Sequence, residues 1–197
     1  TQKDLNLKQI EMTKDELQDA INKTANNMKA LQNEEQALKK ETEEISRYLK
    51  ELEAKKKKEN KQSKFVGGVM VWPVPSSTRI TSTYGRRTSP IFGSGEFHSG
   101  IDIGAPRGNS ILAATDGEVV FSGWKGGYGN CIIIDHGGGI TTLYGHASKL
   151  VVRNGEKVKK GQIIAKIGST GWSTGPHLHF QVMKNGDHIN PMPYLSK

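Results

Sequence analysis

The chain has 197 residues, 34% of them apolar, one cysteine and a formal net charge of +8. That length suffices for one domain plus an extension, while the lone Cys131 excludes an internal disulfide framework and no apolar run is long enough to span a membrane as a helix. The positive excess suits a polyanionic partner: an anionic cell envelope fits, whereas nucleic acid does not, because no recognition motif or aromatic-basic interleaving accompanies the charge.

All 23 glycines and 7 prolines lie at or after Gly67. Two architectures therefore share one chain: a coiled-coil helical region over residues 1–60, a linker over 61–69, and a β domain over 70–197. Residues 67–197 carry most of the charge excess, with 13 Lys and Arg against 7 Asp and Glu. The chain opens on Thr1, not on Met, which agrees with removal of an upstream targeting segment.

From Leu7 to Leu52 apolar side chains recur at spacings of three and four. The seam runs through Leu7, Ile10, Leu17, Ile21, Met28, Leu31, Leu38, Ile45, Leu49 and Leu52. With no Gly or Pro to interrupt it, the spacing predicts one helix on a heptad seam. The alternative is a hairpin broken near Asn26-Asn27. Lys14, Thr24, Glu35 and Thr42 interrupt the stripe, so pairing along it is weak or register-specific. So polar a helix needs a partner, either a second copy or a membrane protein. Lys55 to Lys58 read as a solvated helix end, with an electrostatic anchor to an anionic wall or lipid surface as the functional alternative.

Beyond Gly67 the pattern changes to short β-type runs between Gly-rich turns, the signature of a mainly β, antiparallel sheet or sandwich. Predicted strands are 80–84, 99–103, 110–114, 118–122, 131–135, 141–144, 157–158, 163–167 and 177–183, with a terminal segment ending near Tyr194. Asn185-Gly186 reads as a two-residue hairpin loop after the His177 strand. Cys131, within Asn130-Cys-Ile-Ile-Ile-Asp135, reads as a small buried hydrophobe.

The chemistry concentrates in His98-Ser-Gly-Ile-Asp102 and His177-Leu-His179. Residues at i, i+2 share a face when the chain is extended, and residues at i, i+4 share one in either a strand or a helix. Two imidazoles and one carboxylate suit tetrahedral Zn²⁺ with the fourth position open to water, the arrangement of a catalytic zinc. His98, Asp102 and His179 are the expected ligands. His177 and His146, the latter in Tyr144-Gly-His-Ala, remain for proton transfer. Singly, a histidine on an apolar strand is most often a packed residue; the signal lies in the combination.

Phe97-His98-Ser-Gly-Ile-Asp102-Ile-Gly-Ala-Pro106, Leu143-Tyr-Gly-His146 and Thr174-Gly-Pro-His177-Leu-His179-Phe180 resemble the motifs of the lysostaphin/LytM-type zinc metalloendopeptidases. The resemblance extends over residues 70–195. It takes in Trp72-Pro-Val-Pro75, Tyr84-Gly85-Arg86, Ala114-Thr-Asp-Gly117 and Gly155-Glu-Lys-Val-Lys-Lys-Gly161, all in family order. It implies a small antiparallel β fold with a groove across the sheet, and cleavage of stem or cross-bridge peptides of bacterial peptidoglycan outside the cytoplasm. By the same resemblance His98, Asp102 and His179 bind zinc, His146 and His177 form the catalytic pair, and Tyr84 lines the groove. The bond cut depends on the groove loops around 90–96 and 124–129. Asn130, His136 and His188 match no chemical position. His136 reads as a turn residue and His188 as a surface one.

The resemblance also supports a rival. Some family members lack the ligands and serve as coiled-coil activators or scaffolds of other wall hydrolases in division or morphogenesis. A purely structural envelope protein with a dead site is the third reading. Retention of every ligand and both accessory histidines favours the enzyme.

Overall fold

A computed structural model describes residues 2–58, 65, 68–89 and 95–196. The N-terminal stretch is one unbroken helix, α1 (Gln2–Lys58), without interruption at Asn26-Asn27. No glycine or proline interrupts it, and Lys55 to Lys58 stand in its last turn, where the helix dipole favours positive charge. The chain divides into two compact units, 1–39 and 40–197. In the first, Leu7, Ile10, Leu17, Ile21 and Met28 are all exposed along the helix. Helix residues 40–58 belong to the second. Most of the expected linker, at 61–64, 66 and 67, lies outside the described residues, as does the loop at 90–94. No described helix is long and apolar enough to cross a membrane.

The strands follow in chain order. First come β1 (Met70–Val71), β2 (Ile80–Ser82), β3 (Gly85–Thr88), β4 (Gly95–His98), β5 (Ile101–Gly104), β6 (Ser110–Leu112) and β7 (Gly117–Lys125). After a 3-10 turn at Gly126–Tyr128 come β8 (Gly129–Asp135), β9 (Ile140–Ala147), β10 (Lys149–Leu150), β11 (Lys157–Val158) and β12 (Ile163–Lys166). The chain ends with β13 (His177–Lys184), β14 (Asp187–Ile189) and β15 (Leu195–Ser196). The principal sheet is ordered β11-β7-β8-β9-β13-β5-β2, with β14 also beside β13, and all its pairings are antiparallel. A three-stranded sheet β10-β12-β6, the hairpin β3-β4 and the parallel pair β1-β15 complete the fold. The β13-β14 hairpin turns on Asn185 and Gly186, with φ of 53° and 82°, the left-handed conformations that a two-residue type I′ loop requires.

Alternation along the strands divides the sheet into two faces. Ile101, Ile103, Ile132, Ile134, Leu178, Phe180 and Val182 pack with Ile111, Ile164 and Ala165 in the main core. Each buried Ile, Leu, Phe or Val among them contributes about 1.5–3 kcal/mol. The opposite face carries Cys131, Ile133, Leu143 and Met183, also buried. Helix residues 40–58 close over this second face, with Ile45 and Leu49 at 1% and 2% exposure. Polar ties hold the helix there. Glu41 Oε2 accepts from Gly127 N–H at 2.8 Å, Thr42 Oγ1 lies 3.1 Å from Tyr128 Oη, and Lys50 pairs with Asp187 at 2.7 Å. Lys56 forms an ion pair with Asp135, whose side chain is 2% exposed. The lysine run is thus only partly solvated, because one member neutralises a buried carboxylate.

Candidate metal centre

β13 and β5 run side by side with His177 opposite Gly104 and His179 opposite Asp102. The period of two aims His177 and His179 to one side, as their spacing predicts. His98 arrives differently. It ends β4, which pairs with β3 in a separate two-stranded sheet, and Asp102 lies in β5. A single extended segment over 99–103 is therefore not what joins them; the chain bends out of one sheet into the other at Ser99-Gly100. Gly100 permits the bend, since a Cβ there would sit 2.4 Å from the Phe180 carbonyl oxygen.

His98, Asp102 and His179, all buried, bring their ligand atoms together as a group able to hold a metal ion. His179 Nδ1 lies 2.8 Å from Asp102 Oδ1, His98 Nε2 lies 3.2 Å from the same oxygen, and the two nitrogens are 3.1 Å apart. A tetrahedral zinc with bonds of 2.0–2.1 Å has ligand-to-ligand edges of about 3.3 Å. Donor types and spacing both fit such an ion.

Outer contacts fix how these groups present themselves. His98 Nδ1–H donates to the Thr83 carbonyl at 2.9 Å, which leaves Nε2 as the lone-pair nitrogen facing Asp102 and His179. Arg87 Nη1 donates to Asp102 Oδ2 at 3.2 Å while Arg87 Nε pairs with Glu96 at 2.6 Å. One carboxylate oxygen is held by the guanidinium and the other is left to the centre. Burial works to raise the Asp102 pKa, but the imidazoles of His179 and His98 beside it outweigh burial and hold the carboxyl far below its usual range. Burial lowers His179 to about 4, against the opposing pull of Asp102.

His146 and His177 complete the cluster, with ring centroids 4.7 Å apart. His177 Nε2 lies 3.7 Å from Asp102 Oδ1, and its Nδ1–H donates to the Gly175 carbonyl at 2.7 Å. His146 has φ of 62°, uncommon for a non-glycine residue, where the β8-β9 register shifts between Asn130 and Ile132. Such backbone strain is frequent at functional sites. Its Nδ1–H donates to the Thr170 carbonyl at 2.8 Å, and burial lowers its pKa to about 3.

The remaining sequence expectations divide. Tyr84 is not in the cluster: its hydroxyl donates to the His188 carbonyl at 2.9 Å, and its ring meets Phe97 edge-on at 5.1 Å, one residue before His98. Asn130 Nδ2 donates to the Ala147 carbonyl at 3.2 Å. His136 is no open turn residue but is 7% exposed, bridging the Asp116 carbonyl and Thr142 Oγ1 at 2.7 Å each. His188 is not on the open surface either; it lies 3.4 Å from Ser46 of the helix, and burial lowers its pKa to about 4. Cys131 is buried as expected, its thiol pushed up to about 12 by burial. Sequence reasoning missed Arg87 and Gln181. Arg87 stands opposite Glu96 in the β3-β4 register, a cross-strand charge pair that could have marked it.

Comparison with known proteins gives this geometry its context. The profile of peptidase family M23 matches residues 96–191. The chain is 44% identical over 126 residues to the DD-carboxypeptidase/endopeptidase Mpg of Neisseria meningitidis serogroup B, covering 64% of this chain and 29% of that protein. It is 35% identical over 131 residues to the murein hydrolase activator EnvC of Escherichia coli, covering 66% of this chain and 30% of the relative. The chain thus spans about a third or less of either relative's length. Among solved structures, the catalytic domain of the antimicrobial peptidase lysostaphin from Staphylococcus simulans matches with a TM-score of 0.54 and 39% identity, over 59% of this chain and 90% of that one. A zinc-containing peptidase from Vibrio cholerae matches with a TM-score of 0.59 and 35% identity, over 63% and 39%. With a family profile over residues 96–191, 39% identity across 90% of the lysostaphin catalytic domain and a convergent His-Asp-His group, the chain belongs to peptidase family M23, the lysostaphin/LytM-type metalloendopeptidases.

Proposed function

We propose that the protein is a zinc-dependent endopeptidase that cleaves peptide cross-links or stem peptides of bacterial peptidoglycan outside the cytoplasm. The observation that carries this reading is the convergence of five side chains: three buried ligand atoms, with His146 and His177 beside them. Similarity to a protein named DD-carboxypeptidase/endopeptidase favours a bond between D-amino acids as the target.

His98, Asp102 and His179 would hold the ion, and zinc in such a set supplies Lewis acidity and a water of lowered pKa. Arg87 would orient Asp102 by donating to Oδ2 and leaving Oδ1 to the ion. His146 and His177 each spend Nδ1–H on a backbone carbonyl, so in the neutral ring Nε2 carries the lone pair. One can take a proton from the attacking water and return it to the leaving amine. The other, once protonated, can donate to the developing oxyanion. Tyr84 would support the groove wall through Phe97. Helix residues before Lys40 would pair through their exposed seam with a second helix, from another copy or a membrane protein.

The test is digestion of purified sacculi by the full chain, with and without a zinc chelator, and mass spectrometry of the released fragments. Chelator-sensitive release of cleaved cross-links is the expected result; intact sacculi beside a zinc-loaded protein would overturn it. A second reading, activation of another wall hydrolase, is favoured by the likeness to EnvC. It requires that stimulation of an added hydrolase survive His98→Ala, which the endopeptidase reading does not.

A further inference from the structure

Four histidines of the cluster orient their rings by the nitrogen that faces away from the centre. For His98, His146 and His177 that nitrogen meets a backbone carbonyl, which can only accept. His179 differs. Its outward nitrogen, Nε2, meets a side chain, Nε2 of Gln181 at 2.9 Å.

Gln181 is fully buried and follows His179 by two residues on the same face of β13. Its amide nitrogen also lies 2.6 Å from Ser99 Oγ and 3.0 Å from Tyr128 Oη. Its carbonyl oxygen Oε1 is buried with no hydrogen-bond partner among the described residues. An orphaned buried acceptor is costly, and an amide in this orientation suits one tautomer of His179 and not the other.

In the tautomer whose Nδ1–H donates to Asp102 Oδ1, Nε2 holds the lone pair, and the Gln181 NH₂ satisfies it. When Nδ1 gives its lone pair to an ion, the proton of the neutral ring must sit on Nε2. It would then point at the Gln181 amide nitrogen, donor against donor. Turning the amide over removes the conflict: Oε1 would accept from His179 Nε2–H and, on its second lone pair, from the Ser99 or the Tyr128 hydroxyl.

We propose that Gln181 is a positioning residue for the metal ligand His179, its amide turning over to exchange a donor for an acceptor when the ion binds. This rests on the reading of His98, Asp102 and His179 as the ligand set. An amide serves both ring tautomers. A carboxylate at this position would serve only the metal-bound one, and a thioether neither.

The experiment measures zinc affinity of the full chain by competition with a chromophoric chelator for the unaltered protein, Gln181→Met, Gln181→Glu and His98→Ala. Alongside it, ¹⁵N NMR of the imidazoles reports which nitrogen of His179 carries the proton with and without zinc. Gln181→Met is expected to bind about 10–100-fold more weakly, the usual cost of removing an outer-shell partner. Gln181→Glu is expected to bind as tightly as the unaltered chain or tighter, and the His179 proton to move from Nδ1 to Nε2 on loading. Equal affinity in Gln181→Met with loss in His98→Ala would sink the role of Gln181 alone, whereas unchanged affinity in His98→Ala would sink the ligand set itself. If Gln181→Met does not fold, weaker binding by Gln181→Glu, or a His179 proton that stays on Nδ1, overturns the proposal.

Discussion

His146 and His177 stand on adjacent strands with ring centroids 4.7 Å apart, each with Nδ1 tied to a backbone carbonyl and Nε2 left free of that bond. Neither belongs to the three-atom ligand group. Replacing either by Ala should therefore leave zinc content unchanged and lower kcat/KM on a defined cross-linked muropeptide by about 10²–10⁴-fold. Full activity in either variant, or loss of zinc, would reverse the assignment.

Arg87 reaches the centre only through Asp102 Oδ2. Arg87→Gln should weaken zinc binding by roughly 10–100-fold, and saturating zinc should restore part of the activity. Arg87→Lys should do little better than Gln, because a point charge cannot hold Asp102 and Glu96 at once. Chelator competition separates these outcomes.

Gly100→Ala tests the bend between the two sheets. The added methyl would meet the Phe180 carbonyl oxygen at 2.4 Å, so the backbone must shift and carry His98 away from Asp102. Loss of zinc affinity with the fold retained by circular dichroism is the expected result; unchanged affinity would mean the bend does not set the spacing.

Lys56 neutralises Asp135, whose side chain is almost wholly buried and also accepts from Gly137 N–H at 2.9 Å. Removing one partner of such a pair costs about 3 kcal/mol. Urea denaturation should find Lys56→Met destabilised on that scale, and Lys56→Met with Asp135→Asn should recover a good part of it. Additive losses would argue against coupling.

Acid should loosen the metal-free protein. Burial lowers His146 to about 3 and His188 to about 4, below the ordinary 6.5. The unfolded chain then binds more protons than the folded one between about pH 3–4 and 6.5, and stability rises with pH across that window. These contributions are complete above pH 6.5 and are lost as pH falls through the folded values. Thermal melts of chelator-treated protein at pH 7 and pH 4.5 should show the lower midpoint at pH 4.5; equal midpoints would contradict the burial of these rings.

The sequence carried the helix, the His177-Leu-His179 alternation, the Asn185-Gly186 turn and the ligand types, because periodicity and turn chemistry are local. What stayed hidden was tertiary. His98 and Asp102 read as sharing one face of a strand or a helix turn, yet two sheets meet between them at a glycine whose reason is a carbonyl some eighty residues away. His188 gave no sign of burial because the cover over it comes from the helix. Ile45 and Leu49 belong to the same apolar stripe as Ile10 and Met28, and a stripe reports that a face wants covering without saying by what.

The docking of residues 40–58 bears on how this protein is cut for study. A fragment beginning at Gly67 would follow the composition boundary, but it would strip Ile45 and Leu49 from the sheet and leave Asp135 facing water. It would also take Thr42 from Tyr128, which touches Gln181 and through it His179. Such a fragment would differ from the whole chain in the surroundings of a metal ligand, so a change in its activity could not be credited to the exposed seam alone. Cutting at Lys40 removes the exposed seam and keeps the sheet roofed, and differences between that fragment and the full chain can be credited to the seam.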